Sequence, residues 1–145
     1  RMSAGSGIVH SEINQTSEPC RLLQIWIEPA QLGIQPAYEQ KPFAIGEGWT
    51  PLIEPDASGD AMAIERPVRL WHAQPLRQQN LPLPAAEERW LWLQVIDGGL
   101  TLNSEGSPKQ SLRRGDGLGL IREATTQGEL IGLSERADVL LFALA

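Results

Sequence analysis

Only two histidines occur in the 145 residues, and one of them has a carboxylate two positions away: His10 and Glu12, in the run Gly5-Ser6-Gly7-Ile8-Val9-His10-Ser11-Glu12-Ile13-Asn14. Residues two apart on a strand project from the same face, so an extended backbone would aim both groups into whatever that face lines. Non-haem iron and related metals take two or three imidazoles plus one carboxylate and keep positions open for substrate and oxygen. His10 and Glu12 supply half of such a set. On the residues alone two readings stand side by side: half of a metal site, or a polar pair at a strand end. The second histidine, His72, lies in an apolar alternation with Val68 and Leu70. It is expected to close a core face with a local hydrogen bond rather than to complete the metal set.

Strands are what would have to hold the pair. Eleven prolines and fourteen glycines punctuate the chain, separating short runs rich in Val, Ile, Leu and Trp, which is the pattern of many short strands. The spacing predicts strands at Leu22 to Ile27, Thr50 to Glu54, Ala61 to Glu65, Val68 to Ala73, Arg89 to Ile96, Leu100 to Asn103, Gly117 to Ile121, Gly128 to Leu133 and Val139 to Leu144. Pro84 to Glu88 is the one helix candidate. Trp90, Trp92 and Gln94 alternate with Leu91, Leu93 and Val95, and Asp97-Gly98 follows. Because Asp-Gly accepts the positive φ of tight turns, Arg89 to Asn103 is predicted to form an antiparallel hairpin. About eight strands after residue 47 predict an all-β antiparallel barrel or jelly roll. The proline-rich stretch from Pro29 to Gly48 suits a surface connector. It divides the chain into a leading part, 1–46, and one barrel, 47–145.

Composition narrows the partners. The formal net charge is −6, with 12 basic against 18 acidic residues, and the arginines form no stripe, so nucleic-acid binding is not expected. No apolar run approaches the roughly 20 residues of a membrane span. Cys20 is the single cysteine. It is expected to be a buried thiol in a reducing, cytoplasmic setting, a placement that the absence of a signal-peptide pattern also suits. Gly115-Asp116-Gly117 lacks the lysine and following helix of a phosphate loop, and is read as a turn entering a strand. Trp26, Trp90 and Trp92 sit in apolar runs and are assigned to the core, with Trp49 and Trp71 left open.

The stretch from Arg1 to Asn14, followed by Leu23-Gln24-Ile25-Trp26-Ile27 and Pro36-Ala37-Tyr38-Glu39-Gln40, resembles the pirin family, in particular its bacterial quercetinase-like members. Gly7, His10 and Asn14 are similar to the second cupin motif, with Gly5 where the general motif has proline. Trp92 to Gly99, Gly115 to Leu118 and Leu140-Leu141-Phe142 are similar to the second barrel of the same proteins. The resemblance implies a bicupin of two RmlC-like antiparallel jelly-roll barrels, of which residues 1–46 would be leftover strands of the first plus the connector, and 47–145 the second. It implies that His10 matches the third histidine of a three-histidine, one-glutamate site for iron, Fe(II) or another divalent transition metal, and that Glu12 matches the glutamate. Glu12 would act as ligand or as the base that takes a substrate hydroxyl proton. The activity implied is that of a quercetin 2,3-dioxygenase, opening a flavonol with O2 and releasing carbon monoxide. The alternative implied is a metal-dependent regulatory protein that binds a protein partner. With two of four ligands, the chain itself is expected to hold no metal, to be inactive, and to hide its orphaned apolar segment by folding back on its barrel or by self-association.

Overall fold

The computed structural model describes residues 1–57, 59–85, 87–104, 106–121 and 128–145. Among the described residues there are eleven strands: β1 (Met2–Ser3), β2 (Ala37–Tyr38), β3 (Thr50–Ile53), β4 (Val68–Ala73), β5 (Asn80–Pro82), β6 (Trp90–Asp97), β7 (Gly99–Ser104), β8 (Gln110–Arg113), β9 (Gly117–Ile121), β10 (Gly128–Gly132) and β11 (Asp138–Leu144). They form a five-stranded sheet in the order β3-β4-β11-β6-β9 and a four-stranded sheet in the order β5-β10-β7-β8, with β1 and β2 as a separate ribbon. All pairings between these strands are antiparallel. This is the all-β jelly roll that the sequence predicts. The helix candidate at Pro84 to Glu88 falls partly outside the described residues, and none of its described residues is helical.

The core lies between the two sheets. Trp71 and Ala73 from β4, Leu91, Leu93 and Val95 from β6, and Val139, Leu141 and Ala143 from β11 meet Leu81, Leu100, Leu102 and Leu130 from the facing sheet. Alternation explains the choice: each inward residue is two positions from the next, as a pleated strand requires. Strand β11 is buried on its other face as well, where Leu140 and Phe142 join Ile53 and Leu70 in a second cluster on the outer side of the sheet. Prolines fall where a missing N–H is harmless. Pro51 and Pro82 lie in β3 and β5, each an edge strand, and the β3–β4 register slips just after Pro51.

The hairpin predicted for Arg89 to Asn103 is instead a corner. β6 pairs with β11 and β9, whereas β7 pairs with β10 and β8. Asp97-Gly98 therefore carries the chain from one sheet to the other. Gly98 has φ of 70°, and a Cβ there would lie 2.8 Å from the carbonyl oxygen of Arg136. The turn chemistry was readable in the sequence, but the pairing partners lie far along the chain and override the local preference for a hairpin.

All three tryptophan assignments to the core reverse. Trp90 and Trp92 are 49% and 42% exposed on the outer side of the five-stranded sheet, and Trp26 is 86% exposed. Trp71 is buried at 6%, and Trp49 packs on the main core while its indole N–H donates to the Pro82 carbonyl at 2.8 Å. Leu91, Leu93 and Val95 take the inward face of β6, so alternation forces the tryptophans outward. Cys20 is exposed, not buried. Leu22 to Ile27 forms no strand, and Ala61 to Glu65 is reduced to a single bridge between Met62 and Ile53.

Trp92 lies against β9, where two glycines, Gly117 and Gly119, make room for its ring. A Cβ at Gly117 would overlap the six-membered part of the indole. Gly117→Ala is expected to displace the ring and lower stability by about 1–3 kcal/mol. Near-ultraviolet circular dichroism and urea unfolding check this; an unchanged tryptophan signal at full stability would show the ring to be loosely seated.

Candidate functional site

His10 and Glu12 lie in the long stretch between β1 and β2, which carries no strand, and both are exposed. Neither makes a hydrogen bond or ion pair with another described residue. The shared strand face expected for them is therefore absent here, and no third donor joins them. Among the described residues no group of three or more His, Cys, Asp or Glu side chains could hold a metal ion. The described residues do not by themselves fit an iron-type site.

The leading part of the chain, residues 1–46, is tied to the barrel at several points. The Ala30 N–H donates to the Glu65 carbonyl at 3.1 Å, Arg66 donates to the Glu28 carbonyl at 3.0 Å, and the Gln74 N–H donates to the Gly46 carbonyl at 2.8 Å. Leu22, Leu23 and Ile25 lean over the outer side of the five-stranded sheet and remain 57%, 55% and 44% exposed. The expected folding back is thus partial.

Two charged constellations belong to the barrel, and sequence reading singled out neither Arg69 of the first nor Asp138 of the second. Arg69 on β4 is bonded to Glu54 and, at 3.0 Å, to Glu88. One oxygen of Glu88, Oε2, is buried without a hydrogen-bond partner. Burial pulls the Arg69 pKa down, but the charges of Glu54 and Glu88 outweigh it and leave the pKa raised. This cluster ties the end of β3 and the approach to β6 to β4. The second constellation is His72, whose Nε2 lies 2.5 Å from Oδ1 of Asp138. Gln74 donates to Oδ2 of the same carboxylate at 3.2 Å, and Arg136 donates to Gln74 at 3.3 Å.

His72 faces Leu140 across the β4–β11 ladder. Asp138, two residues before Leu140, is therefore its diagonal neighbour on the same face. His72 does make a hydrogen bond, but not the local one expected of it: Asp138 is 66 residues away. Its partner was not foreseeable, because it depends on the register of two strands distant in sequence. Gly115 turns with φ of 90°. The Asp116 carboxylate accepts the Arg113 N–H at 2.9 Å, so this glycine-rich run is the strand-entering turn that the sequence predicts.

Against known families, residues 52–144 match the quercetinase C-terminal cupin domain of pirins. The chain belongs to the pirin family. Pirin-type relatives match along nearly its whole length: PM1685 of Pasteurella multocida is 40% identical over 146 residues, covering 99% of the chain. The quercetin 2,3-dioxygenase of Escherichia coli K12 is 35% identical over 144 residues, again 99% of the chain. The chain spans 59% of the length of each of these two relatives. Among solved structures, the crystal structure of YhhW from Escherichia coli superposes with a TM-score of 0.70 at 29% identity, over 83% of this chain and 48% of YhhW. YhhW, described as a bacterial pirin, has also been crystallised in complex with nickel(II).

Proposed function

We propose that this pirin chain is part of a metal-dependent dioxygenase that acts on a flavonol-like aromatic substrate with O2, and that His10 and Glu12 are two of its metal donors. The observation that carries the reading is the span of the likeness. Identity of 35% to a quercetin 2,3-dioxygenase runs through 99% of the chain, so it takes in the His10 segment as well as the barrel. Residues 1–46 belong, on this reading, to a preceding barrel and its connector, and 47–145 to the C-terminal barrel. The start of the domain match at residue 52 supports that division. The metal is Fe(II) or another divalent transition metal, and nickel in YhhW supports a site that accepts divalent ions. Bound there, the metal would supply Lewis-acid and oxygen chemistry. His10 and Glu12 would contribute one nitrogen and one carboxylate to that site. The 145 residues alone are inactive on this reading, since two donors on an irregular segment hold a metal weakly.

The test compares metal stoichiometry and flavonol-dependent oxygen uptake, with carbon monoxide release, in the full-length protein and in the 145-residue chain. Metal and turnover confined to the full-length protein are expected. A full-length protein that binds metal but consumes no oxygen with any flavonol would move the assignment to a regulatory, partner-binding pirin. Turnover by the short chain would overturn the division of the site.

A further inference from the structure

The five-stranded sheet is apolar on both faces, whereas an antiparallel sheet with one face in water alternates apolar and polar residues. On its outer side Leu70, Phe142 and Trp92 stand in one row across β4, β11 and β6. The next row runs from Leu144 through Trp90 to Ile121 of β9. The two halves of this side are covered unequally. Over β4 and β11, Leu22, Leu23 and Ile25 lie against Leu70 and Leu140. Over β6 and β9, Trp90, Trp92 and Ile121 stay 49%, 42% and 51% exposed. We propose that the outer side of this sheet is the docking surface for the barrel that precedes the 47–145 domain, and that the body of that barrel covers Trp90, Trp92 and Ile121. The inference rests on the reading that residues 1–46 end such a barrel, and adds where that barrel sits.

Three observations select this occupant. The leading part of the chain already lies on the same face, so the covering has only to continue from β4 and β11 onto β6 and β9. That leading part also leaves large apolar side chains of its own in water, Ile13 at 73%, Trp26 at 86% and Leu32 at 86% exposed. It lacks the body that would bury them. The chain spans 59% of the length of its relatives, and the domain it matches is a C-terminal one running to residue 144. The unspanned two-fifths is the size of a small domain. The third observation is the tether. The main-chain amine of Arg1 donates to the Glu39 carbonyl at 2.7 Å and lies 3.9 Å from Sδ of Met62, and Met62 bridges to Ile53 at the end of β3. A body joined at Arg1 therefore starts at the edge of this same sheet, where tethering keeps its effective concentration high. Exposed tryptophans within an apolar patch are the usual anchors of such contacts.

The test exposes the full-length protein and the 145-residue chain to hydroxyl radicals and reads the oxidation of each tryptophan by mass spectrometry. In the full-length protein Trp90 and Trp92 are expected to oxidise at least about fivefold more slowly than in the short chain. Trp26 reports separately on the preceding barrel, because its protection shows that residues 1–46 belong to a larger body whatever that body covers. Trp26 protected while Trp90 and Trp92 react equally in both proteins would overturn the docking surface and leave the preceding barrel standing. All three equally reactive would remove both. Protection of Trp90 and Trp92 that grows with concentration in the short chain and is missing from the full-length protein would give the surface to a second copy instead. Ile121→Arg places a charge at an exposed edge position, so the short chain should keep its Tm. In the full-length protein the unpaired charge at the contact should return Trp90 oxidation to within about twofold of the short-chain rate. Full protection retained in that variant would overturn the proposal.

Discussion

Full-length protein carrying His10→Ala is expected to purify almost free of metal and to lose flavonol-dependent oxygen uptake by at least about a hundredfold. Changing an outer partner of a metal ligand already costs about 10–100-fold in affinity or activity, and removing a donor outright should cost no less. In the 145-residue chain the same substitution should change unfolding by less than about 0.5 kcal/mol, as for surface positions generally, because His10 is exposed. That contrast separates loss of a ligand from loss of fold. Glu12→Gln in the full-length protein then divides the two roles open to the carboxylate. Lost metal marks a ligand; retained metal with lost uptake marks the proton acceptor. A His10→Ala protein that keeps its full metal content would remove His10 from the site.

Leu141→Ala should be the most damaging single truncation in the barrel. Leu141 is fully buried at 0% exposure, in the middle of β11, opposite Trp71 of β4 on one side and Leu93 of β6 on the other. The sheets on both sides are continuous, so the cavity left behind cannot collapse cheaply, and a cost of about 3–4 kcal/mol is expected. For a domain of this size that corresponds to a fall in Tm of roughly 15–25 °C, measurable by circular dichroism or calorimetry. Leu144→Ala, at the half-buried end of the same strand, is the comparison and should cost about 1 kcal/mol or less. Comparable losses for the two would mean that the centre of β11 is no better packed than its end.

How much of this was legible in the sequence depended on which interactions decide each feature. Strands such as Val68–Ala73 and Gly117–Ile121 coincide with the predicted runs, because alternating apolar residues between turn-formers encode them locally. The edge strands Asn80–Pro82 and Gln110–Arg113 went unseen: one ends in proline, the other is nearly all polar, and both exist because a neighbour offers a free edge. The tryptophans of β6 misled because both of its faces are apolar, and only the facing sheet determines which one is core. At the site, His10 and Glu12 stood out by residue type and by their likeness to pirins. The strand expected to align them is missing because no described strand of this chain pairs with the stretch from Ala4 to Pro36. Asp138 carried no local signal at all, since its meeting with His72 rests on a ladder between strands far apart in the sequence.

The position of β11 also bears on how the chain is made. It is the middle strand of the five-stranded sheet, flanked by β4 and β6, yet it follows every other described strand in sequence. Until residues 138–144 leave the ribosome, β4 and β6 have no partner between them, and the apolar faces they will share stay open. The five-stranded sheet therefore cannot close strand by strand as the chain is made; it waits for β11, through pairings of large sequence separation that are intrinsically slow to form. During that interval the nascent chain exposes the segments most prone to pair with other molecules, which makes it a natural client for chaperones that bind extended apolar strands.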